Sequence, residues 1–163
     1  MRPLATLALA ITLCLSASAH AADATRHDAD VAAIGKVVEQ FKAAIIAHDG
    51  KTLDSLFLQG HDSWLEVPDA KTWADIKSRH PDAPRWKSDA KRNFVDFVQT
   101  STEPVEERFY KVRIDTNGAV GSVWFEFDFL SDGKVTNRGS ETWQMVRDEN
   151  GWKIAAMLYS IGR

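Results

Sequence analysis

Three carboxylates in the last third of the chain, Glu126, Asp128 and Glu141, lie close in sequence to two indoles, Trp124 and Trp143. A carboxylate held against an aromatic wall loses hydration, so its pKa rises and it becomes usable as a general acid or base near neutral pH. Turn dipeptides supply a register that brings these groups together. With ideal two-residue turns at Asp132-Gly133 and Asn150-Gly151, Asp128 falls opposite Asn137, Glu126 opposite Gly139 and Trp124 opposite Glu141. Across the next hairpin Trp143 falls opposite Leu158, and Glu141 opposite Ser160. One face is then expected to hold Trp124, Glu126, Asp128, Asn137, Glu141, Trp143, Leu158 and Ser160. The other holds Tyr110, Val112, Val123, Phe125, Phe127, Phe129, Met157 and Tyr159. A single bulge exchanges these faces over part of a strand. Trp64 and Glu66, on one side of an earlier extended run, are placed to close the pocket from its far edge. The competing reading is a solvated outer face, with Glu141 in a structural hydrogen bond and Trp64 and Glu66 an edge-strand surface pair.

Other chemistries find less support. His27, His48 and His61 are each followed by Asp, but there is no HExxH motif and no His pair at ligand spacing on one helix, so no metal is expected. There is no G-x-S-x-G elbow, no phosphate-binding loop and no dinucleotide fingerprint, and no cofactor is expected. The net charge of −3 argues against nucleic acid as a main partner, since that calls for a basic face. The basic stretch from Arg85 to Arg92 reads as a solvated loop.

These residues need elements to position them. The N-terminus comes first. Arg2 precedes the apolar run Leu4 to Leu15, which has the length of a secretory h-region and is too short to span a bilayer. Ala17-Ser18-Ala19 and Ala19-His20-Ala21 both have the small-x-small form of a cleavage site. Residues 1–21 are therefore expected to be a signal peptide cut after Ala19 or Ala21, giving a periplasmic or secreted protein with no stable membrane insertion. The single cysteine, Cys14, follows Leu13, not the small residue a lipoprotein signal needs, and is removed with the signal. About 140 residues remain, enough for one domain with a core. All six Trp lie in this part, which suggests a lined pocket or an interface as well as a core.

Residues 22–29 read as a flexible polar leader, followed by one domain over 30–163. Val31, Ile34, Val38, Phe41 and Ile45 recur at helical spacing, with Asp28 or Asp30 to cap the start and Gly50 to end it. Leu53, Leu56 and Phe57 predict a short helix with Thr52 as its cap. Ser63 to Val67 alternates like a strand, Thr72 to Arg79 reads as a third helix, and Phe94, Phe97 and Val98 predict another turn or two. Asn117-Gly118, Asp132-Gly133 and Asn150-Gly151 then punctuate extended runs at 106–116, 119–131, 134–148 and 151–161. The two middle strands are about 40 Å long at ~3.3 Å per residue, so the sheet must curve, and Gly121 and Gly139 are where a bend is tolerated.

This order of elements, with Phe41-Lys42-Ala43-Ala44-Ile45, Asp49-Gly50-Lys51-Thr52-Leu53 and above all the run from Gly139 to Ser160, resembles the NTF2-like superfamily in its SnoaL-like (DUF4440-type) branch. The resemblance spans nearly all of the chain after the signal. It implies an α+β cone-shaped barrel in which a curved antiparallel sheet wraps around N-terminal helices and leaves a pocket. It does not imply one chemistry, because members include dehydratase-like and isomerase-like enzymes, cyclases, ligand binders and dimerisation modules. Many relatives carry a His two residues before the terminal Ser of the last strand; here that position is Leu158. Isomerase chemistry of the steroid type needs a carboxylate base and a Tyr donor. Tyr110 and Tyr159 both face away from the carboxylates in the register above, so that reading survives only if a bulge reverses one strand. The expectation is a small-molecule binder without assigned catalytic residues. The alternatives are a cofactor-independent lyase, isomerase or hydrolase with a carboxylate base, and a homodimeric interaction module.

Overall fold

The computed structural model describes residues 9–162, with side chains from Arg26 onward. Residues 1–8, which carry the charged start of the expected signal, lie outside the described residues. Helix α1 (Leu9–Ile46) comes first and includes the segment 22–29 that was expected to be a flexible leader. The difference has a physical cause. His27 Nδ1 lies 3.2 Å from the Thr116 carbonyl oxygen, and Arg147 donates to buried Asp30 at 2.7 Å, so this stretch is tied to the sheet. Asp30 is thus an anchor inside the helix and not its cap. No helix among the described residues is long and apolar enough to cross a membrane.

Ile34, Val37, Val38, Phe41, Ala44 and Ile45 form the buried stripe of α1. The helix ends where His48 takes a positive φ of 54°, two residues before the expected Gly50. Gly50 instead begins α2 (Gly50–Ser55), and a Cβ there would meet the Gln99 side chain at 2.7 Å. Asp49, not Thr52, caps α2, accepting from the Thr52 backbone N–H at 2.9 Å and the Thr52 hydroxyl at 2.6 Å. Strand β1 (Trp64–Pro68) leads into α3 (Ala70–Arg79), capped by Asp69. Lys87–Asp89, expected to be loop, forms a short strand β2, and α4 (Lys91–Thr100) follows. The chain ends in β3 (Val105–Thr116), β4 (Val120–Ser131), β5 (Lys134–Asp148) and β6 (Gly151–Ile161).

The six strands form one open, curved sheet in the order β2-β1-β6-β5-β4-β3. It is mixed, because β1 runs parallel to β6. The helices cover its concave side, and Phe41 of α1 is the centre of the contact. Its ring lies 4.8 Å from Trp143, 5.9 Å from Phe94 and 6.0 Å from Phe109.

Three bulges decide which side chains face inward. The Asp132-Gly133 turn forms as expected, with φ of 50° and 71°, and sets Ser131 opposite Lys134. Thr136 is then an extra residue, and beyond it Phe129 pairs with Asn137, Phe125 with Glu141 and Val123 with Trp143. In the last hairpin the two turn residues are Glu149 and Asn150, since Asp148 pairs with Gly151. Ala155 is extra there, so Trp143 pairs with Met157 and Glu141 with Tyr159. In β3, Lys111 and Val112 together oppose Phe125; Lys111 has a φ of 55°, and Tyr110 and Val112 end on the exposed face. The buried face therefore joins Val123, Phe125, Phe127 and Phe129 to Glu141, Trp143, Met157 and Tyr159. The ideal-turn register had placed β4 and β5 residues on the wrong sides of each other.

Candidate functional site

A cavity of about 470 Å³ opens between the concave sheet and α1 and α4. Its walls are apolar: Phe41 from α1, Phe94 and Phe97 from α4, Trp64 from β1, Phe127 and Phe129 from β4, and Met157 and Ile161 from β6. Ser131, Thr136, Asn137, Asp89 and Asn93 supply the neutral and acidic polar groups along it. Asp89 is held in place by accepting from Asn93 Nδ2 at 2.9 Å and from the Ala90 backbone N–H at 2.8 Å.

Three further titratable groups line it: Glu107 of β3, Glu141 of β5 and Tyr159 of β6. Period-two alternation puts Glu107 on the inner face of β3 with Val105 and Phe109. Glu107 is 6 % exposed and Glu141 5 %. Glu141 Oε1 accepts from Trp143 Nε1, its same-face neighbour two residues on, at 2.5 Å. Glu107 has no hydrogen bond or ion pair among the described residues, and its carboxyl is turned to the cavity. Burial, reinforced by the nearby Glu141, pushes Glu107 well above the usual carboxylate range. Burial likewise pushes Glu141 up to about 8, against the opposing effect of the Trp143 hydrogen bond. The pair therefore retains protons at neutral pH and can donate as well as accept hydrogen bonds.

Tyr159 donates to Glu66 Oε2 at 3.2 Å, and Lys87 Nζ reaches the same oxygen at 3.1 Å. Burial, then the Glu66 charge, raises the phenol further, so Tyr159 stays a neutral donor.

Of the residues picked out from sequence, Trp64, Asn137 and Glu141 line the cavity. Trp143 is fully buried beneath it, between Phe41 and Phe125, and Glu66 stands behind Tyr159. The others lie on the outer face, turned there by the bulges. Arg113 sits over the Trp124 ring at 4.0 Å, Lys111 pairs with Glu126 at 2.8 Å, and Arg138 approaches Asp128 at 3.5 Å. Leu158 is 50 % exposed, and the Ser160 hydroxyl accepts from the Ser140 backbone N–H at 2.9 Å. Glu107 was missed. Its signal was available: an acidic residue between inward Val105 and Phe109 in a run that otherwise alternates. Tyr159 was placed on the opposite face from the carboxylates and in fact shares the face of Glu141, while Glu126 and Asp128 lie on the other. No cluster of metal-ligating side chains occurs among the described residues.

No protein-family model and no curated protein matches the chain. Solved structures do. An NTF2-like protein with a cystatin-like fold from Novosphingobium aromaticivorans matches with a TM-score of 0.62 at 9 % identity, covering 86 % of each chain. A protein proposed to be a dehydratase of the NTF2-like family, from Streptomyces avermitilis, matches with a TM-score of 0.56 at 20 % identity, covering 83 % of this chain and 98 % of that one. One proposed to be an aromatic ring hydroxylase, again from Novosphingobium aromaticivorans, matches with a TM-score of 0.56 at 13 % identity over 82 % and 90 % of the two chains. At these identities the likeness is one of fold: the chain has the NTF2-like, cystatin-like α+β fold.

Proposed function

We propose that the cavity receives a small, largely apolar molecule whose polar group ends on Glu107 and Glu141. The observation that carries this reading is the Glu107 carboxyl, buried with no partner of its own at the edge of an aromatic-walled space. The unbonded carboxyl oxygens of Glu107 are reachable from the cavity space, where a bound molecule would complete their hydrogen bonding. Few polar groups converging in an apolar cleft is also the usual make-up of a small-molecule site. Native mass spectrometry of the protein purified from its natural compartment tests it. A retained small molecule, lost in Glu107→Gln, is the expected result. No retained mass, together with no uptake of an apolar fluorescent dye, removes the reading.

A second reading, catalysis, is favoured by the pairing itself. Once such a coupled pair has lost its first proton, one carboxylate and one carboxylic acid stand together as base and acid. That suits cofactor-free dehydration or isomerisation, in which one carboxylate removes a proton while its protonated partner supplies one. The neighbour proposed to be a dehydratase is consistent with it. Loss of turnover in both Glu107→Gln and Glu141→Gln, with binding retained, would establish this role.

We place the chain in the SnoaL-like branch on the Gly139 to Ser160 run, and in the periplasm or outside the cell on its N-terminal apolar segment. The exposed Tyr110, Val112, Val120 and Leu158 on the sheet's outer face support a homodimer. Sedimentation of the signal-free protein tests the dimer, which a monomer at high concentration would overturn.

A further inference from the structure

The charge pattern of the cavity narrows what can enter it. Among the described residues its lining carries Asp89, Glu107 and Glu141, with Tyr159 beside them, and no lysine, arginine or histidine. The lysines next to Asp89 and Asn93 in sequence are engaged elsewhere. Lys87 neutralises Glu66 behind Tyr159, and Lys91 pairs with Asp54 at 2.9 Å, over the Phe57 ring. Among the described side chains of α1 and α4, Phe41, Asn93, Phe94 and Phe97 face the space, and none is charged. An anionic ligand would find no counter-charge and three acidic neighbours. A cation finds the unpartnered carboxyl of Glu107 and the electron-rich faces of a ring of aromatic side chains.

Resting on the reading that the cavity is a ligand site, we infer that its natural occupant is a hydrophobic amine, bound as the ammonium ion with its nitrogen on Glu107 and Glu141 and its apolar body against Phe94, Phe97, Phe127 and Phe129. The proton balance is simple. The amine arrives as RNH3⁺, one carboxyl of the pair gives its proton to solvent, and an ammonium–carboxylate pair remains. Because burial favours the protonated carboxyls in the empty cavity, binding a cation near neutral pH draws a proton off the pair. A neutral alcohol or ketone accepts a hydrogen bond from the protonated carboxyl and releases none.

The test is isothermal titration calorimetry of the full chain with phenylethylamine, phenylethanol and phenylacetate, three probes of nearly equal shape and different charge. The amine is expected to bind about tenfold or more tightly than the alcohol, and phenylacetate more weakly than either. Titration in buffers of unlike ionisation enthalpy should show about one proton released with the amine and none with the alcohol. Glu107→Gln and Glu141→Gln should each lower amine affinity about tenfold while changing alcohol affinity less than about threefold. Glu126→Gln, on the outer face, should change neither. Alcohol binding as tight as the amine, or amine binding without proton release, overturns the inference and leaves the ligand site intact. Failure of all three probes to bind overturns both. Should either Gln variant fold poorly, the buffer dependence of the unaltered protein decides the matter alone.

Discussion

Glu107 and Glu141 reach one cavity from strands separated by β4, and the charge of Glu141 raises the affinity of Glu107 for its proton. Neither belongs to an ion pair among the described residues. This arrangement opposes stability whenever the carboxyls ionise, and the fold tolerates it at the place where a ligand would sit.

The pH dependence of stability follows from that. Both folded-state pKa values lie above the unfolded ones, so between about pH 4.5 and the folded values the native state holds more protons than the unfolded state. Stability is then highest in mild acid and falls as pH rises, by about 1.4 kcal/mol per pH unit for one carboxyl, levelling off above the folded value of about 8 for Glu141. Urea midpoints between about pH 5 and pH 9 should show this decline. Glu141→Gln should flatten it and gain on the unaltered protein as pH rises. A flat profile in the unaltered protein contradicts the burial of an ionisable pair.

Trp143 tunes its neighbour. Its indole N–H bonds Glu141 and so favours the ionised carboxyl. Trp143→Phe keeps an aromatic ring against Phe41 and Phe125 but removes that donor. The Glu141 pKa should rise above about 8, followed by carboxyl carbon chemical shifts in an NMR titration. The variant should also lose about 1–3 kcal/mol from the smaller ring in a fully buried site. A fall in the Glu141 pKa would mean that the hydrogen bond does not favour the charged form.

The outer face supplies the contrasting case. Trp124 and Glu126 stand between Arg113 and Lys111 on the convex side. Because exposed pairs contribute little, Glu126→Gln should change stability by less than about 1 kcal/mol and leave ligand affinity unchanged. Trp124→Ala should likewise spare binding. Altered affinity in either variant would place the site on the other side of the sheet.

How far the sequence leads is clearest at these strands. The helical stripe through Phe41, the turn at Asp132-Gly133 and the four long strands of the last third were all legible, because periodicity and turn chemistry are local. The site was less so. Each inward or outward assignment depends on counting residues across hairpins, and one extra residue reverses the count. Thr136 and Ala155 are such residues, and neither is a glycine or proline that would announce a bulge. Thr136 is held by donating its hydroxyl to the Phe129 carbonyl at 3.2 Å, a contact visible only once the strands are paired. The short strand β2 was hidden for a related reason: Lys87, Ser88 and Asp89 have weak strand propensity, and β1 supplies their pairing.

Gly139 is a point of close backbone approach between β5 and the end of β6, and it gives the sharpest structural prediction. A Cβ at this position would lie 1.9 Å from the Ser160 carbonyl oxygen and 2.8 Å from its carbon, so the obstruction is backbone and cannot swing aside. The same approach lets the Ser140 N–H reach the Ser160 hydroxyl, close to Glu141 and Tyr159, which pair side by side on the cavity face. Gly139→Ala must push β5 and β6 apart locally. The expected cost is about 2–4 kcal/mol, with a lower Tm and weakened binding of whatever ligand the cavity accepts. Ser160→Ala removes only the hydroxyl and should cost about 1 kcal/mol without moving the strands. Thermal melts of the two variants side by side separate close backbone approach from hydrogen bonding. Equal, small losses would show that β5 and β6 have room to spare at this crossing.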